Sequence, residues 1–227
     1  MYTRQVQILG NIYGANDAPH EWYCEFDRVA LEAGFVRSKF DSCLYLCYGE
    51  DHELQGILGA HVDDTITGGC GPRYEAAVAK LRSRFPFRKW RSGTGEFLGT
   101  IYTQDQTTLE ISFQQKEYAE HITPIKIAKE RSRKPWLPAT PQEVSALRAV
   151  NGALSWVSTQ SRPDLAVQTS LSQQCFPQPK VSDLIQANQA VRRARQQSDL
   201  CIQVPFIPLK ELTLCCLLYT SPSPRDA

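Results

Sequence analysis

Phosphate-cradling loops are missing from this sequence. Neither a G-x-G-x-x-G run nor a Walker loop occurs in its 227 residues, which removes the usual support for a nucleotide-cofactor metabolic domain. Zinc spacing is missing too. The eight cysteines, at 24, 43, 47, 70, 175, 201, 215 and 216, form no C-x-x-C pair, and the four histidines add no metal spacing to them. Long apolar runs are absent. "LTLCCLLY" near the end is too short to cross a bilayer, and "MYTRQVQILGNIYG" at the start lacks the apolar core of a secretory leader. We therefore expect thiols in a reducing compartment, cytoplasmic or nuclear and not secreted, with no membrane partner. An excess of charge is also lacking. The net charge is +1, so any nucleic-acid partner has to be argued from local clusters.

What is present is the composition of a globular chain, 42% hydrophobic and 22% charged. From Pro19 to Phe35, Trp22, Phe26, Val29 and Ala33 recur at helical steps, and Gly34 marks a stop. "SCLYLCYG", "LQGILGAHV" and "TITGG" read as strands. "RYEAAVAKLRSRF" places Tyr74, Val78, Leu81 and Phe85 on one helical face. "EFLGTIYTQ" and "TLEISFQ" read as two strands around "DQT", followed by a short helix "QKEYAEHI". Residues 123–141, with four prolines and many charges, read as a linker. Beyond them Thr140 and Glu143 form a capping-box pair with Pro141 at the first helical position, and "RPDLAVQTSLSQQC" and "VSDLIQANQAVRRARQQ" read as further helices. A late strand, "LCIQVPF", closes the pattern. The order implies an α+β domain with a helical C-terminal lobe. The last eleven residues, "LLYTSPSPRDA", break from what precedes them and resemble translated adapter read-through; no role is given to them.

Asp63 and Asp64 stand side by side between two apolar strands, where a tight turn is needed. Two-residue hairpin loops favour Asn-Gly or Asp-Gly, because both central residues take positive φ. Two adjacent aspartates are a poor choice for that turn and repel one another. One explanation is a solvated acidic turn. The other is a site for hard cations such as Mg²⁺, which prefer carboxylate oxygens. Two such ions roughly 3.5–4 Å apart clamp the attacking and leaving oxygens of a phosphoryl transfer, and the site needs at least one more carboxylate.

Four blocks in order carry a resemblance. "HVDD" resembles the Y-x-D-D box of reverse transcriptases. "IYGANDAPHEWYCEFDRVALEAGFVRSKFDSCLYL" looks like the copia-type pattern Y-G-L-K-Q-x-P-R-x-W-Y followed by G-F-x-x-S-x-x-D-x-C-L. "GEFLGTIY" is similar to that family's F-L-G-I-x-I strand. "LRAVNGALSWVSTQSRPDLAVQTSLSQ" looks like its V-G-S-L-L-Y-L-x-x-x-T-R-P-D-I-A block. The resemblance is to the RNA-directed DNA polymerase of copia-type retrotransposons, and it covers residues 12 to 205.

It implies a polymerase palm-like antiparallel sheet with packed helices and an α-rich thumb or connection region. Residues 1–122 would be partial fingers and palm, 142–205 the helical thumb or connection region, and 206–227 a truncated tail. Asp63 and Asp64 would be catalytic ligands of Mg²⁺ or Mn²⁺, with Asp63 the principal one. His61 stands where the family has Tyr, and reads as a packed strand residue. Gly14 would let backbone approach the incoming nucleotide or the template. Asn16, Asp17 and His20 depart from Lys, Gln and Arg, so no nucleotide contact is carried to them. Phe97, Leu98 and Gly99 match the strand used as a primer grip, although packing explains Phe97 and Leu98 equally well. Arg162, Pro163 and Asp164 read as structural. Implied partners are an RNA template, a DNA primer, a deoxynucleoside triphosphate (dNTP), and the integrase and ribonuclease H of the same Pol polyprotein, in a virus-like particle or the nucleus.

Basic clusters give a separate indication. Residues 82–91, "RSRFPFRKWR", hold five positive residues including Arg88, Lys89 and Arg91, with Phe85, Phe87 and Trp90 between them. Residues 126–134, "KIAKERSRK", hold five against one acid. Such runs suit a phosphate backbone or a solvated face. The family's third carboxylate lies in a D-x-x-x-A-F-L-x-G strand upstream of the first matching block. Only eleven residues precede Ile12 here and none is acidic, so we expect a fragment that is inactive alone. A non-catalytic nucleic-acid-binding or interaction module is the alternative.

Overall fold

Helical spacing between Pro19 and Phe35 produces α1 (Ala18–Ala33). Gly34 stops it with φ 105°, a left-handed conformation that costs glycine little, while the N–H of Phe35 reaches back to the carbonyl of Ala30. The computed structural model describes residues 16–87 and 89–208, which divide into two compact units between Arg91 and Ser92.

In the first unit α1 is followed by β1 (Val36–Arg37), β2 (Leu44–Tyr48), β3 (Leu54–His61), β4 (Asp64–Gly69) and α2 (Pro72–Arg84). The strands form one antiparallel sheet in the order β1-β2-β3-β4. Alternation sends Tyr45, Cys47, Leu58 and Ala60 into a core shared with Phe26, Val29, Phe35, Tyr74 and Leu81. Phe26 anchors it: its ring lies 5.0 Å from Trp22, 5.6 Å from Phe85 and 5.9 Å from Tyr45. Tyr45 is fully buried, and its hydroxyl donates to Asp27 Oδ1 at 3.0 Å. Burial, with that bond second, pushes the phenol well above its usual range. Arg37 also grips Asp27, so α1, the short β1 and β2 share one carboxylate. Strand β1 has no counterpart in the sequence pattern, because two residues carry too little alternation to show.

The second unit holds β5 (Thr94–Phe97), β6 (Thr100–Gln104), β7 (Ile111–Gln114) and β8 (Ile202–Val204), antiparallel in that order. Its helices are α3 (Lys116–His121), α4 (Lys129–Ser132), α5 (Pro141–Gln160), α6 (Ala166–Gln173) and α7 (Val181–Gln196). "EFLGTIYTQ" is not one strand, as its alternation implied. It folds back at Leu98–Gly99, and both residues have positive φ, the pattern of a type I′ turn. Thr140 and Glu143 do form the capping box, with Oγ1 accepting the Glu143 N–H at 3.3 Å and Oε2 accepting the Thr140 N–H at 2.8 Å. Leu147, Val150, Leu154 and Val157 of α5 pack against Leu184, Ala187, Val191 and Ala194 of α7.

Residues 123–141, expected as a linker, contribute to this packing. Ile125 is buried, and its N–H and C=O are both held by the Asn188 amide at 2.7 and 2.8 Å. Arg131 reaches both oxygens of Glu143, at 2.9 and 2.8 Å. The strands between 94 and 114 group with these helices and not with residues before 92.

Arg162 is the charged centre of the unit, 2% exposed. Its guanidinium donates to Asp164 Oδ1 and Oδ2 at 2.8 and 2.9 Å, and to the carbonyls of Gln197 and Ala194 at 2.9 and 3.3 Å. A buried cation thereby caps the end of α7. Pro163–Leu165 forms a 3-10 turn, and R-P-D has the structural part expected of it.

These charges make stability testable in two ways. Arg162→Ala removes the bidentate partner of Asp164, leaving it only Arg193 at 3.4 Å, and uncaps the Ala194 and Gln197 carbonyls; it should cost about 3–5 kcal/mol in chemical denaturation. Hydrogen bonds from Arg162 hold Asp164 below the usual carboxylate range, and bonds from Arg131 do the same for Glu143. Depressed folded values mean that this stability is present above the unfolded values near 4 and is lost as pH falls through the folded ones. Melting temperature should therefore drop below pH ~4, and the Arg162→Ala variant should show a shallower drop.

Candidate functional site

Strands β3 and β4 pair from Gly56↔Gly69 to His61↔Asp64. The connection is therefore Val62–Asp63, and Asp64 is the first residue of β4. This corrects the sequence reading, which put both aspartates in the loop. Only the first loop residue, Val62, has positive φ, at 52°, the pattern of a type II′ turn. A β-branched residue is strained there, by about 1–3 kcal/mol. The ladder outweighs the strain and keeps the turn where it is.

Side-chain alternation fixes the direction of each group. Asp64 and His61 are cross-strand partners and share a face with Ile57, Gly59 and Ile66, opposite to Leu58 and Ala60 in the core. Asp63 and Asp64 are both exposed, and neither forms an ion pair among the described residues. No group of three His, Cys, Asp or Glu among the described residues is placed to hold a metal ion.

At its far end the hairpin is held by α2. Tyr74 lies over the Gly56↔Gly69 pair, and a Cβ on Gly56 would come 2.1 Å from its ring. Thr67 Oγ1 donates to the Ile57 carbonyl at 2.9 Å and meets Tyr74 Oη at 2.9 Å. Burial raises the Tyr74 phenol above its ordinary value. The sequence does carry a signal for this packing that the strand pattern alone passes over: glycines at both ends of a hairpin, followed by an aromatic on the next helix.

The basic run 82–91 divides in the structure. Phe85 and Phe87 step outward from the core to Trp90, which lies 5.5 Å from Phe87 and beneath Arg82 at 4.8 Å. Arg84 is tied to Glu25 at 2.6 Å. Lys89 and Arg91 are exposed, without an acid partner among the described residues. Gly14 and Arg88 lie outside the described residues. In the second unit Phe97 ends β5, and Leu98 and Gly99 form the turn. The Gly99 carbonyl accepts from Gln115 at 3.4 Å, and Gln115 accepts from Ser161 at 3.0 Å. Of the second basic run, Arg131 is taken up by Glu143, while Lys126, Lys129, Arg133 and Lys134 are exposed.

Comparison with known proteins gives two relatives. The chain is 21% identical over 220 residues to a putative transposon Ty5-1 protein of Saccharomyces cerevisiae, covering 92% of this chain and 71% of that protein. It is 24% identical over 178 residues to the retrovirus-related Pol polyprotein from transposon TNT 1-94 of Nicotiana tabacum, covering 69% of this chain and 13% of the polyprotein. These likenesses support a retroelement origin. No family model and no solved structure matches the chain. Among the described residues no helix is long and apolar enough to cross a membrane.

The strained turn gives a further prediction. Val62→Gly should relieve about 1–3 kcal/mol of strain against roughly 0.5–1 kcal/mol of added chain entropy. The first unit should unfold at equal or higher denaturant concentration than the wild type, as read by tryptophan fluorescence.

Proposed function

We propose that the chain is part of a copia-type retrotransposon RNA-directed DNA polymerase, in which Asp63 and Asp64 contribute to a site for Mg²⁺ or Mn²⁺. The observation that carries this reading is a pair of exposed carboxylates, free of ion pairs among the described residues, at a turn whose register is fixed by a six-pair ladder. Rigid oxygen donors of this kind fit a hard cation. Their number falls short of a complete site among the described residues, so the proposal requires a carboxylate from another segment. When bound, the ions supply Lewis-acid stabilisation of the attacking and leaving oxygens.

The chain's own residues have the remaining tasks. Asp63, in the turn, is the principal ligand, and Asp64 adds charge on the face it shares with His61. The sheet β1–β4 with α1 and α2 is palm-like, and the α5–α7 bundle is the thumb or connection region. The Phe97–Gly99 turn presents backbone to the primer end, while Lys89 and Arg91, together with Arg88, meet phosphates. Gly14, by its match to the family's glycine, is assigned to the incoming dNTP or the template. Template RNA, DNA primer, and the integrase and ribonuclease H of the same polyprotein are the proposed partners, in a virus-like particle or the nucleus.

A second reading is a non-catalytic nucleic-acid-binding module from a decayed or co-opted element. The shortage of carboxylates near the hairpin among the described residues favours it. The two readings separate in a primer-extension assay on an RNA template, using a reading frame extended to include a carboxylate-bearing upstream strand. Asp63→Asn should lower extension by roughly 10²–10³-fold or more with an unchanged melting curve. An Asn variant that extends as fast as wild type refutes the metal role and leaves the binding module.

A further inference from the structure

Two of three arginines at the end of one helix in the second unit have no acid partner among the described residues. Helix α7 carries Arg192, Arg193 and Arg195 in its last two turns. Arg193 lies 3.4 Å from Asp164. The Ala194 and Gln197 carbonyls at the helix's end accept from Arg162 and not from the other two cations. Arg192 and Arg195 are exposed and have no acid partner among the described residues. They stand one turn apart and line an open groove of about 770 Å³.

Pro124, Ile125 and Val191 give the groove an apolar lining, and both polar ends of Asn188 are consumed by the backbone of Ile125. The Gln196 side chain also lines the groove. Glu120 is there too, with Oε1 accepting from Ser198 at 2.9 Å, which leaves the groove with two cations against one anion. Beyond the 124–125 ridge lies exposed Lys126, the first residue of the basic run that continues to Lys134. Two stretches of sequence about sixty residues apart thus place cations on either side of one ridge.

We propose that Arg192 and Arg195 bind phosphodiester groups of a polynucleotide that runs along α7 and over the Pro124–Ile125 ridge toward Lys126. Guanidinium groups one helical turn apart suit oxygens of one or adjacent phosphates, which they bind in bidentate fashion. The Pro124, Ile125 and Val191 side chains give the sugar edges an apolar surface. This rests on the reading of the chain as a nucleic-acid-handling protein. It does not depend on the metal role of Asp63 and Asp64.

The test uses the full chain, a short labelled RNA–DNA hybrid and fluorescence anisotropy over a series of salt concentrations. Arg192→Gln with Arg195→Gln should weaken binding about tenfold and lower the slope of log affinity against log salt by about 0.9 for each phosphate no longer neutralised. Lys89→Gln with Arg91→Gln is the comparison in the other unit. An α7 double variant with wild-type affinity and slope overturns the proposal. If the Lys89/Arg91 variant alone loses binding, the chain handles polynucleotide and this groove does not. Displacement of the hybrid by inorganic phosphate or by polyglutamate, at matched ionic strength and as readily as by unlabelled hybrid, would also overturn it. An unchanged melting curve for the α7 variant excludes misfolding.

Discussion

The register of β3 against β4 is the constraint on which the rest of the first unit depends. Side chains alternate with a period of two, so a slip of one residue would turn Asp64 toward the helices and bring Leu58 or Ala60 out of the core. Apolar alternation sets the register from one side. Tyr74, packed across two facing glycines, sets it from the other, because a Cβ at either end of that pair would collide with the ring or the opposite backbone. Strain at Val62 is tolerated because six cross-strand pairs and the packing of α2 over-determine the turn.

Charge is used in two contrasting ways along the chain. Asp27, Glu143 and Asp164 each sit beside an arginine and join elements that are distant in sequence or at a helix end. Those carboxylates are consumed by the fold. Asp63 and Asp64 have no ion pair among the described residues: they stand exposed, with like charge beside like charge. Arg192 and Arg195 are the cationic counterpart, two guanidiniums on a helix end that another arginine has already capped. Charges that the fold leaves unpaired are the ones available to a ligand.

Much of the architecture was legible in the sequence because its signals were local. The steps from Trp22 to Ala33, the glycine at 34 and the Thr140–Glu143 box each occupy one turn or a few, and the structure has helices there with those ends. Less was legible where a fold-back competed with alternation. "EFLGTIYTQ" alternates as a strand would, yet a type I′ turn preserves the same alternation on both arms, so pattern alone did not show the bend. Residues 123–141 have the prolines and charges of a linker. Their packing depends on Asn188 and Glu143, partners that no local window contains.

By itself the sequence determined the α+β character, the position of a tight turn near residue 63, and the order of blocks that carries the retrotransposon resemblance, since each follows from residue type and short-range spacing. Tertiary structure alone decided that Val62, and not Asp64, occupies the loop. It also decided that Arg162 caps a helix more than thirty residues away, and that Arg192 and Arg195 are left facing a groove. The physical reason is the same in all three cases: each outcome is set by which groups already have partners, and those partners are brought together only when the chain has folded.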